Sequence, residues 1–109
     1  MLPASFSVDL LNSSDFLVAT YKQFLKDLNR SGIETTIEIN FPITKTELSI
    51  FIHQIVSNLT VQDLSVLLYN IDLSETKFQS SPMDDERMNL SEQILIREAQ
   101  KVFFRMKYN

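Results

Sequence analysis

Leu11-Asn12 leads to Phe16, Ile43-Thr44 to Leu48, Leu59-Thr60 to Leu64 and Leu90-Ser91 to Leu95. Each time an apolar residue is followed by a capping side chain and then, four positions beyond the cap, by a second apolar residue. The Asn, Thr or Ser oxygen can accept a hydrogen bond from a first-turn amide that has no partner inside a helix, and the apolar pair clamps the approach of the chain. Asp15, Glu47 and Asp63 stand three residues after the first three caps, where the helix dipole favours negative charge. This device predicts four helix starts, at residues 12, 44, 60 and 91.

Apolar spacing agrees with those starts. At about 100° per residue, Leu17, Tyr21, Phe24, Leu25 and Leu28 share one face of the first helix, with Lys22, Lys26 and Arg30 opposite. Ser31-Gly32 is its expected stop, using the only glycine in the chain. Leu48, Phe51, Ile52, Ile55, Val56 and Leu59 form the stripe of the second helix, while Ile50 lies on its other side and suggests a central helix with neighbours on two faces. Val61, Leu64, Leu67, Leu68 and Ile71 cluster in the third, leaving Val66 and Tyr69 outside. The fourth is expected to bury Leu95, Ile96, Ala99, Val102, Phe103 and Met106.

Two stretches break the helical period. GIETTIEINFP alternates Ile33, Ile37, Ile39 and Phe41 with polar neighbours and is rich in β-branched residues, so residues 33–41 are expected to form one short extended or β segment. SETKFQSSPMDDERM is polar and contains Pro82, the composition of a mobile loop near residues 74–89. Residues 1–11 read as an N-terminal arm in which Phe6, Val8 and Leu10 alternate and could supply a short strand. The expected fold is mainly α: four amphipathic helices around one core within a single domain over residues 12–109, with a small α+β arrangement as the alternative.

Composition narrows function by removing chemistries. The chain has no cysteine, hence no disulfide, thiolate nucleophile or thiolate metal site, as suits a reducing cytoplasm. No apolar run approaches a membrane span, and the first residues lack the basic and apolar regions of an export signal, so a cytoplasmic protein without a membrane partner is expected. A single glycine cannot write a Walker loop or a dinucleotide fingerprint. Asp84, Asp85 and Glu86 lack the alternate spacing and turn glycine of a calcium loop. His53, the one histidine, sits a helical turn from Ser49 and from Ser57, with no third group marked to orient its ring. No catalytic constellation, cofactor or metal is therefore expected. The second and third helices join at a tight corner like a helix-turn-helix, but VQDLSVLLYNID carries no cation for phosphate.

Charge is unevenly placed. The total is -4, yet the residues from Gln93 onward carry Arg97, Lys101, Arg105 and Lys107 against Glu98, a local +3 that leaves -7 for the rest. On a helical wheel Arg97, Lys101, Arg105 and Tyr108 fall within about 80°, with Phe104 adjoining. Cations and rings together suit a single-stranded nucleic acid, the dipole alone favours basic residues at a helix end, and a basic helix on an acidic body can meet an acidic protein face. The expected function is a non-catalytic interaction or assembly module, a homo-oligomer or a binder of another protein. Its contact surface comprises Ile94, Arg97, Lys101, Phe104, Arg105 and Tyr108, with Ile94, Phe104 and Tyr108 exposed, together with segment 33–41. The alternative is a nucleic-acid-associated accessory protein.

Overall fold

Thr44 and Thr60 cap helices as their spacing predicts. The computed structural model describes residues 5–36, 43–73 and 84–108, the side chains of residues 84–89 excepted. Its helices are α1 (Ser14–Arg30), α2 (Lys45–Ser57), α3 (Val61–Ile71) and α4 (Asp84–Tyr108), preceded by a 3-10 turn at Val8–Asn12. The chain is mainly α, and no strand occurs among the described residues. No described helix is long and apolar enough to cross a membrane.

At α2 the cap is a complete capping box: the Glu47 amide donates to Thr44 Oγ1 at 3.1 Å and the Thr44 amide donates to Glu47 Oε1 at 3.2 Å. The flanking pair Ile43 and Leu48 is buried, so the polar and apolar halves of the device act together. Thr44→Ala is expected to cost about 1 kcal/mol in urea unfolding followed by circular dichroism; a change indistinguishable from zero would leave the box without a stabilising role. Thr60 Oγ1 likewise accepts from the Asp63 amide at 3.1 Å.

The other two starts differ. Asn12 is the last residue of the 3-10 turn, so Ser13 becomes the extended cap of α1, its hydroxyl accepting from Phe16. The same turn occupies part of the arm where the alternation left room for a strand. Ser91 caps nothing: α4 begins at Asp84 and carries Ser91 inside it, buried. Between Pro82 and Ser91 no glycine or proline interrupts the chain, and Asp84, Asp85 and Glu86 occupy the first turn, where acidic residue types are favoured. The helix therefore claims residues 84–89 of the expected loop. Residues 74–83 lie outside the described residues. So do Ile37, Ile39 and Phe41 of the alternating segment, of which Ile33 packs against the core.

α1 stops through a pair of backbone bonds, the Ile33 amide to Leu28 O at 3.0 Å and the Gly32 amide to Asn29 O at 3.1 Å. Gly32 supplies the left-handed φ of +73° that this turn needs. α3 stops in the same manner with Asp72, at φ 67°, although a side chain there costs about 1 kcal/mol. That residue has a second task in the site.

α4 is the central helix. It packs chiefly on α2 and α1, which touch each other only lightly, while α3 leans mainly on α1. The core gathers Phe24 and Leu28 from α1, Phe51 and Ile52 from α2, Leu67 and Ile71 from α3, and Leu95, Ala99, Val102 and Phe103 from α4. This corrects the expectation that α2 is central: its outlying Ile50 is half exposed and meets no second layer among the described residues.

Candidate contact surface on the last helix

Because α4 lies between α1 and α2, its buried arc is wider than one stripe. Leu90, Ile94, Glu98 and Val102 all fall inside it, and Ile94 is 0% exposed. The expectation of an exposed Ile94 is thus wrong, for a reason the wheel of a single helix cannot show: two neighbours, not one, cover this helix. Ile96 is only half-buried and Met106 is exposed, since the arc turns away from both.

The basic residues of α4 are engaged within the chain. Arg97 donates to the Asp72 carboxylate at 3.0 Å and to the Asp72 main-chain carbonyl at 3.3 Å. The left-handed backbone of Asp72 thus presents two acceptors to one guanidinium. Lys101 donates to Asp27 Oδ2 at 2.6 Å and to the Asn70 carbonyl at 3.2 Å, joining α4 to α1 and α3 at once. Arg105 donates to Gln23 Oε1 at 2.6 Å, and the Gln23 amide donates onward to Asp27 at 3.4 Å. Among the described residues Arg105 meets an amide rather than a carboxylate. Much of the basic face is therefore a polar seam against the acidic body: the partners of Lys101 and Arg105, Asp27 and Gln23, are buried and weakly screened by salt, whereas Asp72, the partner of Arg97, is exposed.

Three residues of that seam escape a sequence reading: Gln23, Asp27 and Glu98, all buried. Thr20, Gln23 and Asp27 line one edge of α1 at helical spacing, and the Thr20 hydroxyl turns back to Phe16 O at 2.8 Å. A signal was present in the matched periods, since Gln23, Asp27 and Arg30 repeat on α1 as Glu98, Lys101 and Arg105 do on α4. Reading it requires knowing that the two helices are neighbours.

Glu98 is the most perturbed group of the seam. Among the described residues no donor makes a hydrogen bond to either of its carboxyl oxygens, and the Lys101 ammonium stands 3.5 Å from Oε1, within ion-pair reach but without hydrogen-bond geometry. Burial pushes its carboxyl up to about 9; a proton shared with Asp27 and repulsion by Asp27 act in the same direction, against the attraction of Lys101. Glu98 is accordingly a neutral acid at pH 7, able to donate to Asp27.

Beyond the seam the end of α4 is open to solvent. Phe104 and Tyr108, 43% and 72% exposed, stack at 6.2 Å with their planes 18° apart. Phe103 meets Phe104 edge-on at 5.4 Å and Phe6 at 5.9 Å, so the outer pair is anchored to the core. The Lys107 ammonium lies 5.5 Å from the Tyr108 ring centre and 5.6 Å from that of Phe103, within cation–π range. One helical turn before Phe104, Gln100 borders an open cleft of about 780 Å³ that Arg30, Asn70, Asp72 and Arg97 also line, with Tyr69 on its wall, 82% exposed overall.

His53 bridges helices. Its Nε2 is 3.3 Å from Ser57 Oγ and its Nδ1 3.5 Å from Ser91 Oγ on α4. Among the described residues no three His, Asp or Glu side chains converge as metal ligands do. Comparison with protein-family models, with curated proteins and with solved structures returns no match for this chain.

Proposed function

We propose that the protein is a small, non-catalytic interaction module of the cytoplasm that assembles with a second copy of itself or with a protein partner through the end of α4. The observation that carries this reading is the stacked, exposed pair Phe104–Tyr108, held to the core through Phe103. Large rings fixed before contact lose little conformational freedom on binding and supply apolar area, which is why such residues anchor protein interfaces. Lys107 and Arg105 flank them with positive charge, suited to the acidic surface that a chain of net charge -4 offers to its own copy. Segment 33–41 extends the proposed surface.

The nucleic-acid reading has less support on the same surface. Arg97 and Lys101 already neutralise carboxylates, so fewer charges of this face are left to release counterions from phosphate.

Sedimentation velocity over a wide concentration range tests the preferred reading, with Phe104→Ser/Tyr108→Ser beside the unaltered chain. Reversible association that the double variant loses, at unchanged helicity, is the expected result. A monomer at every concentration would remove self-assembly. Salt-sensitive anisotropy changes with single-stranded DNA or RNA, abolished by the same substitutions, would transfer the surface to nucleic acid.

A further inference from the structure

The joint between α1 and α4 holds two carboxyls, Asp27 and Glu98, both 0% exposed, and one ammonium within 3.5 Å of each. Lys101 gives its short bond to Asp27 and reaches Glu98 only at 3.5 Å. Other groups face the pair as well. From α1 the Gln23 amide donates to Asp27, and Arg30 stands 3.8 Å from Asp27 with its side chain more than half exposed. From α3 the Asn70 carbonyl accepts a hydrogen bond from Lys101. From α4 Arg105 approaches through Gln23. On α2, His53 lies two turns away along α4, at Ser91. Among the described residues no hydrogen-bond donor is placed on Glu98, so a second buried negative charge there would be answered only by the Lys101 ammonium at 3.5 Å, already bonded to Asp27, whereas a proton between the carboxyls turns the repulsion into a hydrogen bond.

We propose that this joint is a proton-dependent latch: with one proton held between Asp27 and Glu98, Lys101 closes the C-terminal half of α4 onto α1 and α3, and loss of that proton releases it. The step is a simple deprotonation of Glu98 to solvent, leaving two carboxylates on one ammonium. The closed state binds one proton more than the open state. Its stability is therefore fully present below the ordinary carboxyl range and is lost as pH rises toward about 9, beyond which the slope ends. One proton released on opening means an opening constant that rises about tenfold per pH unit across that window. The latch does not depend on what α4 contacts outside the chain.

Two measurements on the full chain, unaltered and as Glu98→Gln, decide it. The amide of that variant would keep a donor toward Asp27 and an acceptor toward Lys101 but carry no titrating proton. Amide exchange at residues 98–108, corrected for the intrinsic base-catalysed rate, is expected to show the tenfold rise per pH unit in the unaltered chain and no such rise in the variant, while α2 amides stay flat. Carbon-13 NMR of the Glu98 carboxyl is expected to show titration far above the usual carboxylate range, which keeps the proposal testable even if the variant folds poorly. An ordinary carboxylate midpoint would overturn the latch. So would equal slopes in the two proteins, or α2 amides that follow the same slope and thereby assign the proton to whole-chain unfolding.

Discussion

Lys101→Met is expected to lower the free energy of unfolding by about 3 kcal/mol. The ammonium is the closest charge to Asp27, a carboxylate 0% exposed, and also reaches Asn70 on α3. Methionine fills much of the space of the lysine stem but leaves Asp27 without its close cation, facing the Gln23 amide, the Glu98 carboxyl and a mostly exposed Arg30 at 3.8 Å. The penalty is thus chiefly that of an uncompensated buried charge and only secondarily that of a lost bond. Urea denaturation of the single variant and of Lys101→Met/Asp27→Leu separates these terms. The double variant is expected to recover most of the loss, because both charges leave together. A single variant within about 0.5 kcal/mol of the unaltered protein, the range of an ordinary surface substitution, would mean that the seam adds nothing to stability.

Phe51→Ala should cost more, about 4 kcal/mol, since the cavity left by a buried ring collapses only in part. Phe51 meets Phe24 edge-on at 6.0 Å and Tyr21 at 5.4 Å, and these rings join α1 to α2 where the two helices otherwise touch lightly. Its neighbour Ile50 is 52% exposed, so Ile50→Ala in the same helix supplies the contrast and is expected to change stability by no more than about 0.5 kcal/mol. Equal losses at the two positions would contradict the assignment of Phe51 to the core. With total stabilities of about 5–15 kcal/mol for domains of ordinary size, either of the large losses is a substantial fraction of the whole.

What was legible in the sequence is what depends on a single turn or a single stripe. Thr44 and Thr60 announced α2 and α3 because a cap and its amide lie three residues apart, within one local structure. Gly32 announced the end of α1 for the same reason. Ser91 has the same pattern around it and is not a cap, because the pattern does not say whether the residues before it are already helical. Ile94 misled in a related way: one helix considered alone suggests a single buried face, and only a second neighbour extends that face to include it. Of the expected contact residues, the structure keeps Phe104 and Tyr108 on the outside and turns Arg97, Lys101 and Arg105 to partners within the chain. The Asp27–Lys101 bond spans 74 positions, and no local spacing can carry that information.

The helix that organises the core is also the last one in the sequence. α1 and α2 are held together chiefly through it, so during synthesis α1, α2 and α3 emerge before it, with Phe24, Phe51 and Ile52 lacking part of their cover. Closing the chain between α1 and α4 must precede the gain from packing the two together. The nascent chain, and not the finished one, is where this protein is most exposed to aggregation and to chaperones.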